Sequence, residues 1–148
     1  SVEPFSVPHD AYEPVGFIIR CGDLRVGVVT DMGIATTLVR ERLRGCRALV
    51  VESNYDEQML RDCPNRPWHL KQRVMGRQGH LSNQGAAALL TEIATPDLDT
   101  VYLAHLSKDC NQPELAHRTT HDTLRKAGHH HIKVRLTYPD RISEPWVG

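Results

Sequence analysis

The 148-residue sequence has no excess charge of either sign, since 18 lysines and arginines face 18 aspartates and glutamates. Any attraction to a polyanion or a membrane surface has to come from a local patch rather than from the whole molecule. Long apolar runs are absent as well. Runs such as Val26-Gly27-Val28-Val29 and Ala48-Leu49-Val50-Val51 fall far short of the roughly 20 residues that span a bilayer, so no membrane segment is expected. The four cysteines, Cys21, Cys46, Cys63 and Cys110, contain no Cys-x-x-Cys pair. That spacing argues against a disulfide-stapled mini-domain and against a structural zinc site of paired ligands, and predicts free thiols in a cytoplasmic protein. Internal repeats, low-complexity tracts and linkers are missing too. What is present is ordinary globular usage, 40% hydrophobic and 24% charged, enough for one packed domain.

The chain opens at Ser1 inside Ser-Val-Glu-Pro-Phe-Ser-Val-Pro, a run that reads as a strand already in mid-course and predicts further chain upstream. β-Branched runs at 15–20 and 24–30, joined by Cys21-Gly22-Asp23, predict a hairpin. Ile34, Leu38, Val39 and Leu43 recur at helical spacing, and Gly45 stops that helix. A buried strand is expected at 48–52. The polar stretch 56–77, broken by Pro64 and Pro67, leaves room for short helices near 57–61 and 70–75. Asn83 is the expected cap of a helix whose apolar face is Ala86, Ala87, Leu89, Leu90 and Ile93, ended by Thr95-Pro96. A strand at 100–104, a helix from Pro113 to about Lys126 and a strand at 132–138 complete the series. Strands alternating with helices predict one α/β unit with parallel or mixed pairing.

Three polar residues follow the ends of apolar extended runs: His9, Asp31 and His105. Ligands of open α/β sheets bind beyond the carboxyl ends of strands, and imidazole with carboxylate suits a divalent metal. The same residue types are also ordinary turn formers. His80, between Gly79 and a helix start, is on spacing alone either an exposed turn residue or a general acid. Lys71, Arg73 and Arg77 cluster before it with Arg66 near, as a solvated helix face or as a contact for a nucleic-acid backbone.

Together, the motifs resemble a known family. Val7-Pro8-His9-Asp10-Ala11, Val29-Thr30-Asp31-Met32-Gly33, Val51-Glu52-Ser53-Asn54-Tyr55-Asp56, Leu70-Lys71-Gln72-Arg73, Gly79-His80-Leu81-Ser82-Asn83 and Leu103-Ala104-His105-Leu106-Ser107 occur in one order. That order resembles the second half of the metallo-β-lactamase-fold hydrolases, in particular their YycJ-type branch of exonuclease-like or phosphodiesterase-like enzymes. The resemblance runs from about Val2 to about Ala127. It implies that His9 binds one metal, Asp31 bridges two and His105 binds the second, with Zn or Mn as the ions. It implies a non-ligand catalytic role for His80 near the scissile phosphate. Glu52 and Asn54 fall where related nucleases keep a second acidic motif, from which Asn54 departs. Asn54, Lys71, Arg73 and Asn111 are the expected substrate contacts.

The family's His-x-His-x-Asp-His motif is nowhere in these residues. His129-His130-His131 contains the only His-x-His, and it reads as a turn that exposes imidazoles. The fold implied is therefore α/β, the C-terminal half of an αββα sandwich, with residues 1–148 as one partial domain. Its bare sheet face is expected to meet a missing N-terminal half or to pair in a homo-oligomer. The function implied is metal-dependent hydrolysis of phosphodiesters in DNA or RNA, inactive in this half alone. Hydrolysis of a small ester or cyclic phosphodiester, and a non-enzymatic half-domain, stand beside it.

Overall fold

The computed structural model describes residues 1–148 and contains one six-stranded mixed sheet in the order β1 to β6. β1 (Val2–Ser6), β2 (Val15–Cys21) and β3 (Leu24–Val29) pair antiparallel, the last two joined through Gly22 at φ 57°. β4 (Ala48–Glu52), β5 (Thr100–Ala104) and β6 (Lys133–Leu136) then add in parallel. Helices α1 (Thr37–Leu43), α4 (Asn83–Ile93) and α5 (Pro113–Lys126) make the crossovers, and α2 (Glu57–Asp62) and α3 (Trp68–Met75) fill the polar stretch between β4 and α4. The hairpin and the mixed pairing agree with the pattern expected from the sequence.

The core lies on one side of the sheet. Phe5, Ile18, Val29, Leu49, Val51, Val101 and Leu103 alternate along their strands and pack against Val39, Leu43, Ala86, Leu90 and Leu124 of the helices. Full burial of a Val or Leu side chain contributes about 1.5–3 kcal/mol, so this layer supplies the stability of the unit. On the other side Val15, Phe17 and Ile19 of β2 remain between 37% and 41% exposed. The C-terminal segment crosses the β5–β6 end of that open face, where the Tyr102 hydroxyl donates to the Glu144 carbonyl and Trp146 Nε1 donates to Asp99.

Three of the boundaries that differ from the sequence reading have a local reason. α1 starts at Thr37 because the Thr36 hydroxyl accepts from Val39 N, leaving Ile34 in the preceding bend. Ser82, not Asn83, caps α4, its hydroxyl accepting from Gly85 N. That frees Asn83 for a buried side-chain role. β6 has four residues because pairing with β5 runs only from Lys133 to Leu136. His129, His130 and His131 lie in the turn before it, as expected.

Candidate metal centre

Asp31, Glu52 and His105 stand at or just past the carboxyl ends of three neighbouring strands, β3, β4 and β5. Asp31 and His105 both adopt left-handed backbone, at φ 56° and 57°. For a non-glycine residue that conformation is uncommon and costs about 1–3 kcal/mol, and it collects at functional sites. His9 and His80 arrive on two loops that touch. Gly33 N donates to the Pro8 carbonyl, Asp10 N to that of Gln78, and His80 N to that of Val74. The approach is so close that a Cβ on Gly33 would meet the backbone of Gly76 and Arg77, and one on Gly79 the Val74 carbonyl. These glycines let the loops carrying His9, Asp31 and His80 pack together.

Glu52 lies at the centre with no exposed surface. Its Oε2 accepts from the backbone N–H of Met32 and of Leu81, each at 3.1 Å. Its Oε1 accepts from Nδ1 of His80 at 2.7 Å and from Nδ1 of His105 at 2.6 Å. A carboxylate has about four lone-pair sites, and all are used here. Burial alone would raise this carboxyl, but the bonds from His105, His80 and the two backbone groups outweigh it and hold its pKa down at about 2. In return the Glu52 bond raises the His105 imidazole against the opposing effect of partial burial, with the charges of Glu52 and Asp31 adding to it. His9 is oriented separately: its Nδ1 faces the Gly79 carbonyl at 2.8 Å, an acceptor only, so that nitrogen carries the proton.

All three imidazoles therefore hold Nδ1–H toward the protein and leave Nε2 for chemistry. Their rings form a row, with His9–His80 centroids 5.1 Å apart and His80–His105 centroids 5.2 Å apart. Asp31 Oδ1 lies 3.7 Å from His9 Nε2, and 3.8 Å and 3.5 Å from the Glu52-bound Nδ1 atoms of His80 and His105. The His9–Asp31 separation is too long for a hydrogen bond and near the roughly 3.4 Å edge of a tetrahedral ion with bonds of about 2.0–2.1 Å. One ligand atom from each of Asp31, Glu52, His80 and His105 lies within 4.8 Å of the others, the one such set of three or more in the molecule. The donor types and spacing fit a divalent metal, with the saturated Glu52 orienting imidazoles rather than ligating.

The residues singled out in the sequence fare differently. His9, Asp31, His80 and His105 are brought together. Asn54 Nδ2 donates to the His105 carbonyl at 2.7 Å, so it braces that loop. Asn111 is 5% exposed, and its Nδ2 bonds to the Ser53 and Asn54 carbonyls and to Asn83 Oδ1, while Asn83 Nδ2 returns a bond to Asn111 Oδ1. Ser53 Oγ donates to the same Asn83 oxygen. This buried clasp ties together the loops that carry Glu52, His80 and His105. Lys71 departs from the expected solvated face: it is buried, its ammonium donating to the Arg61 carbonyl in the α2–α3 packing. Arg73 pairs with Asp10 and Arg66 with Asp109, and Arg77 carries no ion pair. Sequence spacing did not single out Glu52 or Asn83 as site members, although the family resemblance placed Glu52 in an acidic motif. For Glu52 a signal existed, a carboxylate closing the apolar run Ala48–Glu52.

No family model matches the chain. It is 35% identical over 127 residues to exodeoxyribonuclease YycJ of Bacillus anthracis, covering 86% of this chain and 48% of that protein. To exodeoxyribonuclease WalJ of Streptococcus pneumoniae it is 32% identical over 126 residues, 85% of this chain and 46% of that one. The chain thus spans about half the length of the curated relatives it matches. Among solved structures, the metallo-β-lactamase fold protein YhfI of Bacillus subtilis aligns at a TM-score of 0.57 and 15% identity, over 92% of this chain and 46% of its own. Zinc-bound PqqB of Methylobacterium extorquens aligns at 0.57 and 21% identity, over 90% and 43%.

Proposed function

We infer from the metallo-β-lactamase fold of this chain that it forms the C-terminal half of a metal-dependent, nuclease-like hydrolase of phosphodiester bonds. The observation that carries the reading is the convergence of Asp31, His80 and His105 around the saturated Glu52 at the ends of adjacent strands, with His9 beside Asp31. The relatives named exodeoxyribonucleases favour DNA over RNA as substrate.

Two divalent ions, Zn or Mn, held by His9, Asp31, His105 and residues of the other half, would polarise a phosphoryl oxygen and supply a nucleophile from water at neutral pH. Asp31 stands between His9 and His105, the position from which one carboxylate serves both sides of the centre. Glu52 keeps the Nδ1 protons of His80 and His105 in place and so fixes which nitrogen faces outward. His80 Nε2, turned away from Glu52, would donate a proton to the leaving oxygen. Arg73 and Arg77, on the segment leading to His80, steer the phosphodiester backbone, while Asn54 and Asn111 hold the loops around it.

Two observations support the reading as a half. The chain spans 48% of the YycJ relative, and Val15, Phe17 and Ile19 leave an apolar face without cover. Such a face marks a contact surface, here for the half that carries His-x-His-x-Asp-His. No helix is long and apolar enough to cross a membrane, and four free cysteines support a cytoplasmic location. In the full-length protein, Asp31→Asn is expected to cut bound transition metal and diester turnover together. Unchanged metal content in that variant would remove Asp31 from the ligand set. A coding region upstream of Ser1 without an in-frame His-x-His-x-Asp-His would overturn the half reading.

A further inference from the structure

Cavities lie at both ends of the imidazole row, and they differ in chemistry. The one flanking His9, of about 500 Å³, is fronted by Asp10, Arg73 and Arg77, and two of those three are paired with each other. The one beside His105 is larger, about 750 Å³, and is walled by Thr30, His105, Ser107, Lys108, Thr137 and Tyr138. It opens between the loops that follow β5 and β6, two adjacent parallel strands, so it shares a side with the candidate centre. Its volume falls in the range that encloses a drug-sized organic ligand.

The lining is mixed in a particular way. Lys108 is exposed and has no ion pair, so its charge is available. Tyr138 is half-buried and presents an aromatic wall, steadied by the Arg141 guanidinium 3.7 Å above its ring. Thr30 and Thr137 add hydroxyls, and Asp140 stands at the rim as an acceptor. An aromatic surface, hydroxyls, an acceptor and one free cation suit a base, a sugar and a neighbouring phosphate. A small inorganic anion would leave most of the cavity unfilled.

We propose that this cavity is a nucleotide subsite: it takes the nucleoside attached to the phosphate at the imidazole row, with Lys108 on the next phosphate and Tyr138 against the base or sugar. The proposal rests on the phosphodiesterase reading above and adds the substrate unit and its side of the centre. It predicts tighter binding of a nucleotide than of inorganic phosphate, because a nucleoside attached to the bound phosphate fills the cavity.

The test uses the full-length protein with its metal. Binding of deoxynucleoside monophosphates is compared with that of inorganic phosphate by calorimetry, and KM for an oligonucleotide with KM for bis(p-nitrophenyl) phosphate. Lys108→Ala and Tyr138→Ala are each expected to weaken nucleotide binding about tenfold, the scale of one lost base or phosphate contact, with phosphate affinity moving less than twofold. The ratio of the two KM values should rise by a similar factor. Lys108→Arg and Tyr138→Phe should restore nucleotide affinity, which a merely structural role would not require. Equal loss of nucleotide and phosphate affinity, or no loss of either, would overturn the subsite while leaving the phosphodiesterase reading in place. If the wild-type protein hydrolyses neither diester, the reading beneath it has failed instead.

Discussion

Two regions of this molecule are rich in histidine, and only one is arranged for chemistry. His9, His80 and His105 come from distant parts of the chain and meet around Glu52, which is completely buried. His117, His121, His129, His130 and His131 are close in sequence, yet each of their ring contacts is local or to a carbonyl. His117 and His121 stack at 5.6 Å with nearly parallel rings, His117 bonds to the Val134 carbonyl and His131 to that of Thr95. The carboxylate available to them, Asp122, is 55% exposed. Density of histidine is therefore a poor guide. What distinguishes the first region is a buried anion that fixes two imidazoles and turns their free nitrogens outward.

Breaking the first region should cost most at the residue with least structural duty. His80→Ala is expected to lower diester turnover about 10²- to 10⁴-fold while sparing bound metal, measured by steady-state kinetics beside metal analysis. Loss of metal in that variant would make His80 a ligand instead. Glu52→Gln comes next. Its four partners are all donors, so the glutamine NH₂ must face either two backbone N–H groups or two imidazole N–H groups. We expect about 10- to 100-fold weaker metal binding by competition titration, and about 1–3 kcal/mol lower stability in urea unfolding.

The pKa of Glu52 gives that variant a pH signature. A carboxyl held at about 2 in the fold and at 4.5 without it contributes stability that is complete above 4.5 and lost as pH falls toward 2. Acid titration of the metal-free wild-type protein should show this loss, and Glu52→Gln should flatten it. Asn83→Ala removes one side of the buried clasp and leaves Asn111 and Ser53 short of a partner. About 1–3 kcal/mol of stability should go, with turnover falling through displaced loops. Smallest of all, replacing His129, His130 and His131 by alanine should leave specific metal content unchanged and move stability by no more than about 0.5 kcal/mol. A loss of stoichiometric metal there would erase the contrast between the two regions.

Much of the fold was legible in the sequence because its signals are local. Hydrophobic periodicity, Gly22, Gly45 and Pro113 place strands, turns and helix ends without reference to the rest of the chain. Where two local signals compete, reading failed: Ser82 and Asn83 are both good caps, and the contest was settled by Asn83 finding Asn111 and Ser53, distant in sequence. Lys71 looked like part of a basic face because its neighbours are basic, and only the packing of α2 against α3 shows its ammonium on the Arg61 carbonyl. His9, Asp31 and His105 could be named from their places after apolar runs, and His80 from its motif.

By itself, then, the sequence determined the alternation of strands and helices, the absence of a membrane-spanning helix and the residue types capable of holding a metal. Periodicity and composition act through near neighbours and survive in a one-dimensional string. The tertiary structure alone decided that Glu52 anchors the site, that two of its members sit in left-handed backbone and that Asn83 and Asn111 lock the loops. Those facts depend on burial and on contacts between residues 28 to 58 positions apart, which no local pattern records.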